Sequence, residues 1–240
     1  MHQNHTKMIY LTEPQAEEQI RQLLQLYPSL AIVQNAENQQ VLRGTINIYR
    51  ASEGYILNKD YGVELIIPIG SDTLPTVKDI SNSISKAYPH RYRNGELCLE
   101  TDTYIKTFFI NGFDLVKWMK DFVEPYYFSY EYFTRYGEFP FGERPHAYGG
   151  IIDTYSQFSG GASIETTCKI MRYIVDTSKY RGHHTCPCGS GLRLRNCHGK
   201  YILPFYQDTR RIELLQTDIK HISNELEKYD QARKNNTKAK

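Results

Sequence analysis

The strongest constraint on the fold is a block of short apolar and alternating segments between residues 30 and 80. In the segment 41–50, Leu42, Ile46 and Ile48 fall on one face, as the two-residue period of a half-buried strand requires. Polar turns separate the segments, which favours an antiparallel meander of four strands. The strand segments are 30–34, 41–50, 54–58 and 62–70, with a predicted turn at 59–62, and a proline-containing edge segment follows at 73–81.

Helical patterns flank this block on both sides. The stretch 12–28 has Thr12 as its predicted N-cap, Pro14 in the first turn and Pro28 beyond its end. The fold class is therefore α+β, with an N-terminal helix, a four-stranded antiparallel meander and C-terminal helices. Further helices are predicted at 112–125, ended by Pro125, at 163–176, and over the apolar positions 212, 215, 219, 222, 226 and 229, which we expect to pack on their own domain.

The chain of 240 residues is long enough for one sizeable core and an appendage. We expect a main domain at 8–178, a small metal-binding module with a basic linker at 179–202, and an amphipathic helix with a disordered basic tail at 203–240. Neither a secretory signal nor a run that could cross a bilayer is visible, so the sequence predicts a cytoplasmic protein. Five cysteines in such a chain favour metal binding or catalysis over disulfides.

Charge is unevenly distributed along the chain. Residues 1–170 contain 15 Lys and Arg against 20 Asp and Glu, whereas residues 171–240 contain 14 against 7. The basic part is interpreted either as a surface for an anionic partner or as an ordinary solvated face. Nine aromatic residues between 126 and 141 could stack on bases, but Arg135 is the sole cation among them, so we favour a core and a protein-binding surface over nucleic acid.

The clearest chemical signal is a set of three cysteines and a histidine within 13 residues: Cys186, Cys188, Cys197 and His198. Three thiolates and an imidazole suit tetrahedral Zn²⁺, and a filled shell leaves no open position for catalysis, so the predicted zinc site is structural. The alternative is a chance cluster of reduced cysteines. His183 and His184 precede the motif and could compete as ligands, although solvated linker histidines are the simpler interpretation.

The stretch Cys-Pro-Cys-Gly-Ser-Gly followed by Cys-His-Gly resembles the SEC-C zinc motif, which occurs at the ends of many bacterial proteins. The resemblance covers about 20 residues and implies a small zinc-bound docking module, usually for protein partners. It implies no enzymatic activity. No acid lies between residues 179 and 200, so an acidic protein surface is one plausible target.

A second candidate site is the segment 88–102, with sequence YPHRYRNGELCLETD. Asn94 and Gly95 predict a tight turn, and beyond it an extended chain places Leu97 and the next leucine toward the core and Cys98 on the opposite face. This pattern favours an accessible thiol over a core cysteine. Glu96 and Glu100 share that face and disfavour a thiolate, so we expect a thiol that reacts when a partner aligns it, as in thioester exchange.

Residues 10–150 resemble the ubiquitin-conjugating-enzyme fold in element order and in three local features. Pro89 lies nine residues before Cys98, GELCL matches the approach to that family's catalytic cysteine, and IIPIGSDTLP looks like its proline-containing loop after the third strand. The resemblance implies that Cys98 accepts the activated C-terminus of a ubiquitin-like protein as a thioester. It also implies an adenylating activating enzyme and a protein target as partners.

The segment departs from the family pattern at two positions. Tyr88 stands where the family has histidine, and His90 stands where it has the asparagine that stabilises the oxyanion. A histidine can also donate a hydrogen bond, so the resemblance assigns that role to His90. The stretch RYGEFPFGERPHAYGG is similar to bacterial members of antiphage operons and singles out His146 for proton handling, against the alternative of an ordinary loop histidine.

Three functions are therefore open at the level of sequence. The first is a transferase that passes an activated protein C-terminus from Cys98 to an amine. The second is a non-catalytic adaptor in which the zinc module binds the partner. The third, a cysteine hydrolase using Cys98 with His90 or His146, requires a lowered thiol pKa that the neighbouring carboxylates oppose.

Overall fold

The structure is a computed structural model that describes residues 9–143, 145 and 147–238, with side chains described as far as residue 227. It confirms the predicted class, because an N-terminal helix and a four-stranded antiparallel sheet are followed by helices. The described residues form two compact units. One contains those of 1–102 and 111–143, and the other contains those of 103–110 and 144–240.

Helix α1 runs from Glu13 to Leu26 and begins as predicted at Thr12. The side chain of Gln15 accepts hydrogen bonds from the Thr12 backbone N–H at 3.0 Å and from its hydroxyl at 2.8 Å. The bond from the backbone gives the Thr12 N–H an acceptor at the start of the helix, where backbone N–H groups lack intrahelical acceptors. Ala16, Ile20 and Leu23 recur at three- and four-residue intervals and are buried, so α1 presents one apolar face to the core.

The sheet is a meander in the order β1-β2-β3-β4, and each neighbouring pair is antiparallel. The predicted turn at 59–62 is wrong, because β2 and β3 pair along their entire lengths and reverse at Glu53 and Gly54. Tyr61 lies opposite Ile46 within this continuous ladder and is fully buried. The strands are β1, Leu30–Ala36; β2, Gln39–Ser52; β3, Tyr55–Pro68; and β4, Thr76–Asp79.

The helical stretch after the sheet continues through Pro125, so the prediction that Pro125 ends it is wrong. Between Met119 and Val123 the backbone widens into a π-helical turn, in which the Glu124 N–H donates to the Met119 carbonyl. Such a turn accommodates a proline that lacks an N–H and would crowd a regular preceding turn. The helices here are α2, Asp102–Phe108; α3, Leu115–Trp118; and α4, Glu124–Tyr136.

The aromatic segment of α4 packs against the sheet. Tyr126, Tyr127 and Phe128 are buried, and the rings of Tyr127 and Tyr61 have centroids 4.2 Å apart. The Tyr61 hydroxyl donates to Glu131 at 2.8 Å, which gives the buried phenol a polar partner. This part of the predicted aromatic core is confirmed.

The second unit is a helical cluster around one core. Its buried members include Ile151, Met171, Leu194 and Leu215, which come from three helices and the segment that carries the cysteine motif. Four of the predicted apolar positions of the last helix, α8 (Thr209–Lys238), contact this core, namely 212, 215, 219 and 222, whereas Leu226 is exposed and the side chain of residue 229 lies outside the described residues. The helices are α5, Tyr148–Phe158; α6, Ile164–Asp176; α7, Gly199–Gln207; and α8, Thr209–Lys238.

Two further predictions can be compared directly with the structure. The backbone at 232–238 is helical, where the sequence predicts disorder. None of the helices in the described ranges is both long and apolar enough to span a bilayer.

Substitution of Tyr61 tests the continuous β3 strand. We expect Tyr61→Ala to lower the free energy of unfolding by about 3–5 kcal/mol, because it removes a fully buried ring from the core. Tyr49→Ala is the matched control, since Tyr49 lies on β2 with 66% of its surface exposed, and should cost about 0.5 kcal/mol or less. Urea unfolding measures both variants, and equal losses would contradict the buried position of Tyr61.

Candidate functional site

The candidate thiol site is built on a short antiparallel hairpin between residues 90 and 98. Its turn is the predicted one, because the Gly95 N–H donates to the Tyr92 carbonyl at 3.0 Å and the Glu96 N–H donates to the Asn94 side chain at 3.0 Å. Gly95 has φ of +88°, a conformation that glycine adopts without strain. Asn94 and Gly95 therefore have a local structural role in reversing the chain.

The hairpin has a regular register that decides which side chains share a face. The Tyr92 N–H donates to the Glu96 carbonyl at 2.8 Å, and the Cys98 N–H donates to the His90 carbonyl at 2.8 Å. One backbone bond joins each of these two pairs, and Arg91 lies opposite Leu97 between them. Because side chains alternate along each strand, those of 90, 92, 96 and 98 lie on one face and those of 91 and 97 on the other.

The hairpin is attached to the edge of the sheet. The Leu97 N–H donates to the Val77 carbonyl of β4 at 2.9 Å, and the Leu97 side chain is buried. Cys98 is partly buried, and so is Leu99, which lies beyond the last pair of the hairpin. The structure therefore keeps the predicted opposition of Leu97 and Cys98 but makes Leu99 a half-buried residue.

The surroundings of Cys98 favour a neutral thiol. Burial raises the pKa of the thiol above its ordinary value, and the carboxylates of Glu100 and Asp102 raise it further. A hydrogen bond from the Tyr92 hydroxyl, 3.3 Å from Sγ, acts in the opposite direction and lowers the pKa. Sequence reasoning overlooked Tyr92, although the two-residue alternation across the Asn94–Gly95 turn would have placed it on the thiol's face.

His90 takes part in the site through both its backbone and its ring. Its carbonyl accepts from the Cys98 N–H and, at 3.0 Å, from the hydroxyl of Tyr126 on α4. Its Nε2 lies 3.5 Å from Oε1 of Glu143, and its ring packs edge-on against Phe139 with centroids 5.2 Å apart. His90 and Cys98 are thus direct cross-strand neighbours. His146, the third residue predicted for this site, lies outside the described residues.

The second unit contains the predicted metal centre. The ligand atoms of Cys186, Cys188, Cys197 and His198 all lie within 4.8 Å of one another. The Nδ1 atom of His198 is 3.3 Å from the Cys186 sulfur and 3.2 Å from the Cys197 sulfur, and the sulfurs of Cys188 and Cys197 are 3.5 Å apart. Four ligands about 2.0–2.3 Å from one Zn²⁺ in a tetrahedron are about 3.3–3.8 Å apart. The cluster therefore has the size and the chemistry of a metal site.

Local structure brings these four side chains together. The Cys186 N–H donates to the Leu192 carbonyl at 2.8 Å, and the chain between them reverses through Gly189 and Gly191, both with positive φ. The hydroxyl of Ser190 lies 3.2 Å from the Cys188 sulfur, and this contact is the largest of several hydrogen bonds that together lower the pKa of that thiol to about 6. Ser190 thus supports the thiolate that a metal requires, a role that the sequence motif alone did not assign.

The metal cluster belongs to the hydrophobic core of the second unit. Cys186 and Leu194 are both buried in that core, with contributions from α5, α6, α7 and α8. Residues 148–176 fall within the main domain that the sequence predicts at 8–178. In the structure their helices, α5 and α6, share this core with the cysteine segment. His184 lies outside the cluster, with its Nδ1 3.2 Å from the Tyr173 hydroxyl.

Comparisons with known proteins return no match. No protein-family model matches the chain, and neither the curated proteins nor the solved structures include a significant match. The structure by itself establishes a helix, a four-stranded antiparallel sheet, later helices and a cluster of metal-ligand type. Any function must therefore be argued from the two sites.

Metal content tests the second site. We expect the purified chain to contain about one equivalent of zinc, and Cys188→Ser to weaken its binding by more than about 100-fold, since even outer-shell changes cost about 10–100-fold. Cys168→Ser is the matched control because Cys168 is exposed on α6 and outside the cluster. Elemental analysis and competition with a chelator measure both. Zinc retained by Cys188→Ser at wild-type affinity would contradict this ligand set.

Removal of the Glu100 charge tests the electrostatics of the thiol site. Glu100→Gln should lower the pKa of Cys98, because the carboxylate disfavours the thiolate, and should speed alkylation by iodoacetamide about twofold at pH 8. Peptide mass spectrometry follows Cys98 separately from the other cysteines. Glu17→Gln, an exposed change on α1, should leave the rate unchanged. A slower rate in Glu100→Gln would contradict the conclusion that the Glu100 carboxylate raises the pKa of Cys98.

Proposed function

We propose that this chain is a transferase of the ubiquitin-conjugating type. In this proposal Cys98 accepts the activated C-terminus of a ubiquitin-like protein as a thioester and passes it to an amine of a protein target. A role in a bacterial antiphage operon follows from the sequence resemblance and belongs to the same proposal. The adenylating activating enzyme is a separate partner, since the chain has no P-loop and no Gly-x-Gly-x-x-Gly motif.

The observation that carries this proposal is the hairpin that presents Cys98. The Cys98 N–H bond to the His90 carbonyl closes the hairpin nine residues after Pro89, at the edge of β4. The preceding order of one helix and four antiparallel strands agrees with the element order expected for this class of enzyme. The thiol is thus held by backbone bonds on a sheet, which favours a reactive group in a defined position.

The state of the thiol favours transfer over hydrolysis. A cysteine hydrolase needs a thiol that is already ionised in the resting enzyme, usually because a neighbouring cation stabilises the thiolate. Here burial, Glu100 and Asp102 all raise the pKa of Cys98, so the resting thiol is protonated at neutral pH. Thioester exchange tolerates this state, because a partner enzyme can supply the alignment and the leaving thiol.

Two acyl transfers make up the proposed reaction. In the first, the Cys98 thiolate attacks the thioester carbonyl on the activating enzyme, a new C–S bond forms, and the enzyme's thiolate leaves while the Cys98 proton passes to solvent. In the second, a neutral amine attacks the Cys98 thioester, the C–S bond breaks, and the amine loses a proton as an amide forms. His90 is proposed to support the oxyanion and His146 to handle a proton.

The metal cluster supports a structural zinc site in the same proposal. Cys186, Cys188, Cys197 and His198 would hold the ion, and the donor set suits Zn²⁺. The bound ion would cross-link the two ends of the 186–198 segment and so stabilise the core that contains Cys186 and Leu194. With four protein ligands the site offers no position for a substrate.

The alternative is a non-catalytic adaptor whose metal module binds a protein partner. The observation in its favour is the exposed cationic surface of that module, which contains no carboxylate between residues 177 and 207. An acidic protein surface is the complementary partner. The exposed cations are Lys179, Arg181, Arg193, Arg195 and Lys200.

Trapping of the Cys98 adduct tests the transferase. Wild-type chain expressed in its native cells should carry a protein adduct that a thiol reductant removes. Cys98→Ser should carry either no adduct or one that resists the reductant, because an oxyester does not exchange with thiols. Gels run with and without reductant detect the adduct, and mass spectrometry identifies the attached protein.

Two further variants make that experiment decisive. Cys168→Ser should retain the reductant-sensitive adduct, since Cys168 is an exposed residue of α6 and belongs neither to the hairpin nor to the metal cluster. Cys188→Ser separates the two functions, because an adaptor would lose partner capture while the Cys98 chemistry would persist. A complete lack of Cys98 adduct in cells that express a verified activating enzyme and modifier would overturn the transferase.

A further inference from the structure

Tyr92 and Cys98 are diagonal neighbours on one face of the 90–98 hairpin. The register pairs His90 directly with Cys98 and Tyr92 directly with Glu96, so Tyr92 lies two residues along the strand from the residue opposite the thiol, on the same face. Diagonal neighbours are within reach of an aromatic side chain, and the Tyr92 hydroxyl donates to the Cys98 sulfur at 3.3 Å. The contact is therefore built by the backbone register and does not depend on a chance orientation.

The hydroxyl of Tyr92 is suited to remain a donor. Burial, the hydrogen bond to Cys98 and the negative charges of Asp102 and Glu96 raise the pKa of the phenol well above its ordinary value. The phenol therefore stays protonated at neutral and mildly alkaline pH. The residue as a whole is 55% exposed, so Tyr92 lies at the protein surface beside Cys98.

Other groups around the sulfur oppose a negative charge on it. Glu100 and Asp102 repel a thiolate, and partial burial withdraws it from water. The titratable groups that face Cys98 from its own and neighbouring elements are Tyr92, His90 and Glu96 of the hairpin, Glu100 and Asp102 of the following segment, and Tyr126 of α4. Of the groups that act on its pKa within the described ranges, Tyr92 is the one that favours the thiolate.

We propose that Tyr92 is a catalytic residue of the Cys98 chemistry, whose hydroxyl donates a hydrogen bond to the sulfur whenever the sulfur carries negative charge. This inference rests on the proposed function. The sulfur is negative twice in that reaction: as the thiolate that attacks the incoming thioester, and as the thiolate that leaves when the amine takes the acyl group. A donor that is already in place stabilises both states without reorganisation.

Tyr92→Phe tests the donor with the ring retained. In the full chain, the variant should alkylate with iodoacetamide about threefold to tenfold more slowly at pH 8, and its rate should reach half-maximum at higher pH than that of wild type. Peptide mass spectrometry isolates the Cys98 signal. Tyr49→Phe, an exposed change on β2, should leave the profile unchanged.

Tyr92→Ala separates the hydroxyl from the packing of the ring. If the hydroxyl is responsible, Tyr92→Phe and Tyr92→Ala shift the pH profile in the same direction and by similar factors. A shift in Tyr92→Ala alone, or no shift in either folded variant, would overturn the proposal. Thermal melts confirm folding, and Tyr92→Phe retains every atom of the ring, so a folded variant is expected.

The assay needs no partner protein, so its outcome is independent of the transferase test. A shifted alkylation profile without any Cys98 adduct in cells would leave the Tyr92 contact standing and remove the transferase. An unchanged alkylation profile together with a normal Cys98 adduct would overturn the role of Tyr92 and leave the transferase standing. If both the shifted alkylation profile and the Cys98 adduct are observed, discharge of the adduct to free lysine should be about threefold to tenfold slower in Tyr92→Phe, because the leaving thiolate loses its hydrogen-bond donor.

Discussion

The candidate thiol site depends on one backbone interaction, the hydrogen bond from the Cys98 N–H to the His90 carbonyl. Together with the Leu97 N–H bond to Val77, it ties a short hairpin to the edge of the sheet and sets the hairpin's register. That register alone decides that Leu97 is buried while Cys98 faces the other way. A slip of one residue would exchange the two side chains and place the thiol in the core.

What could be predicted from sequence was local in origin. The two-residue alternation separated Leu97 from Cys98, the Asn94–Gly95 pair marked the turn, and close spacing brought the four metal ligands into one segment. Each of these depends on neighbours a few residues apart. The Tyr92 contact was equally accessible, since it needs only the alternation continued across the turn.

Errors arose where distant parts of the chain decided the outcome. Lys59 to Gly62 contain turn-forming residues, yet pairing with β2 along 14 partners and burial of Tyr61 outweigh that preference. Pro125 is a strong helix terminator, yet a π-helical turn just before it lets the chain continue, and the aromatic residues after it gain burial against the sheet. Neither compensation is visible in a window of local sequence.

The opposition at Cys98 between one donor and two carboxylates has a chemical consequence for a thioester enzyme. Burial, together with Glu100 and Asp102, raises the pKa of the free thiol and so limits its oxidation and its reaction with stray electrophiles. In the proposed thioester, the same carboxylates would make the thiolate a poorer leaving group and so slow unproductive loss of the acyl group. The Tyr92 hydroxyl would offset part of this effect of the carboxylates, because its hydrogen bond to the Cys98 sulfur becomes stronger as negative charge develops there. Under the proposed function, a thiol that is unreactive at rest could thereby still act as the leaving group during transfer.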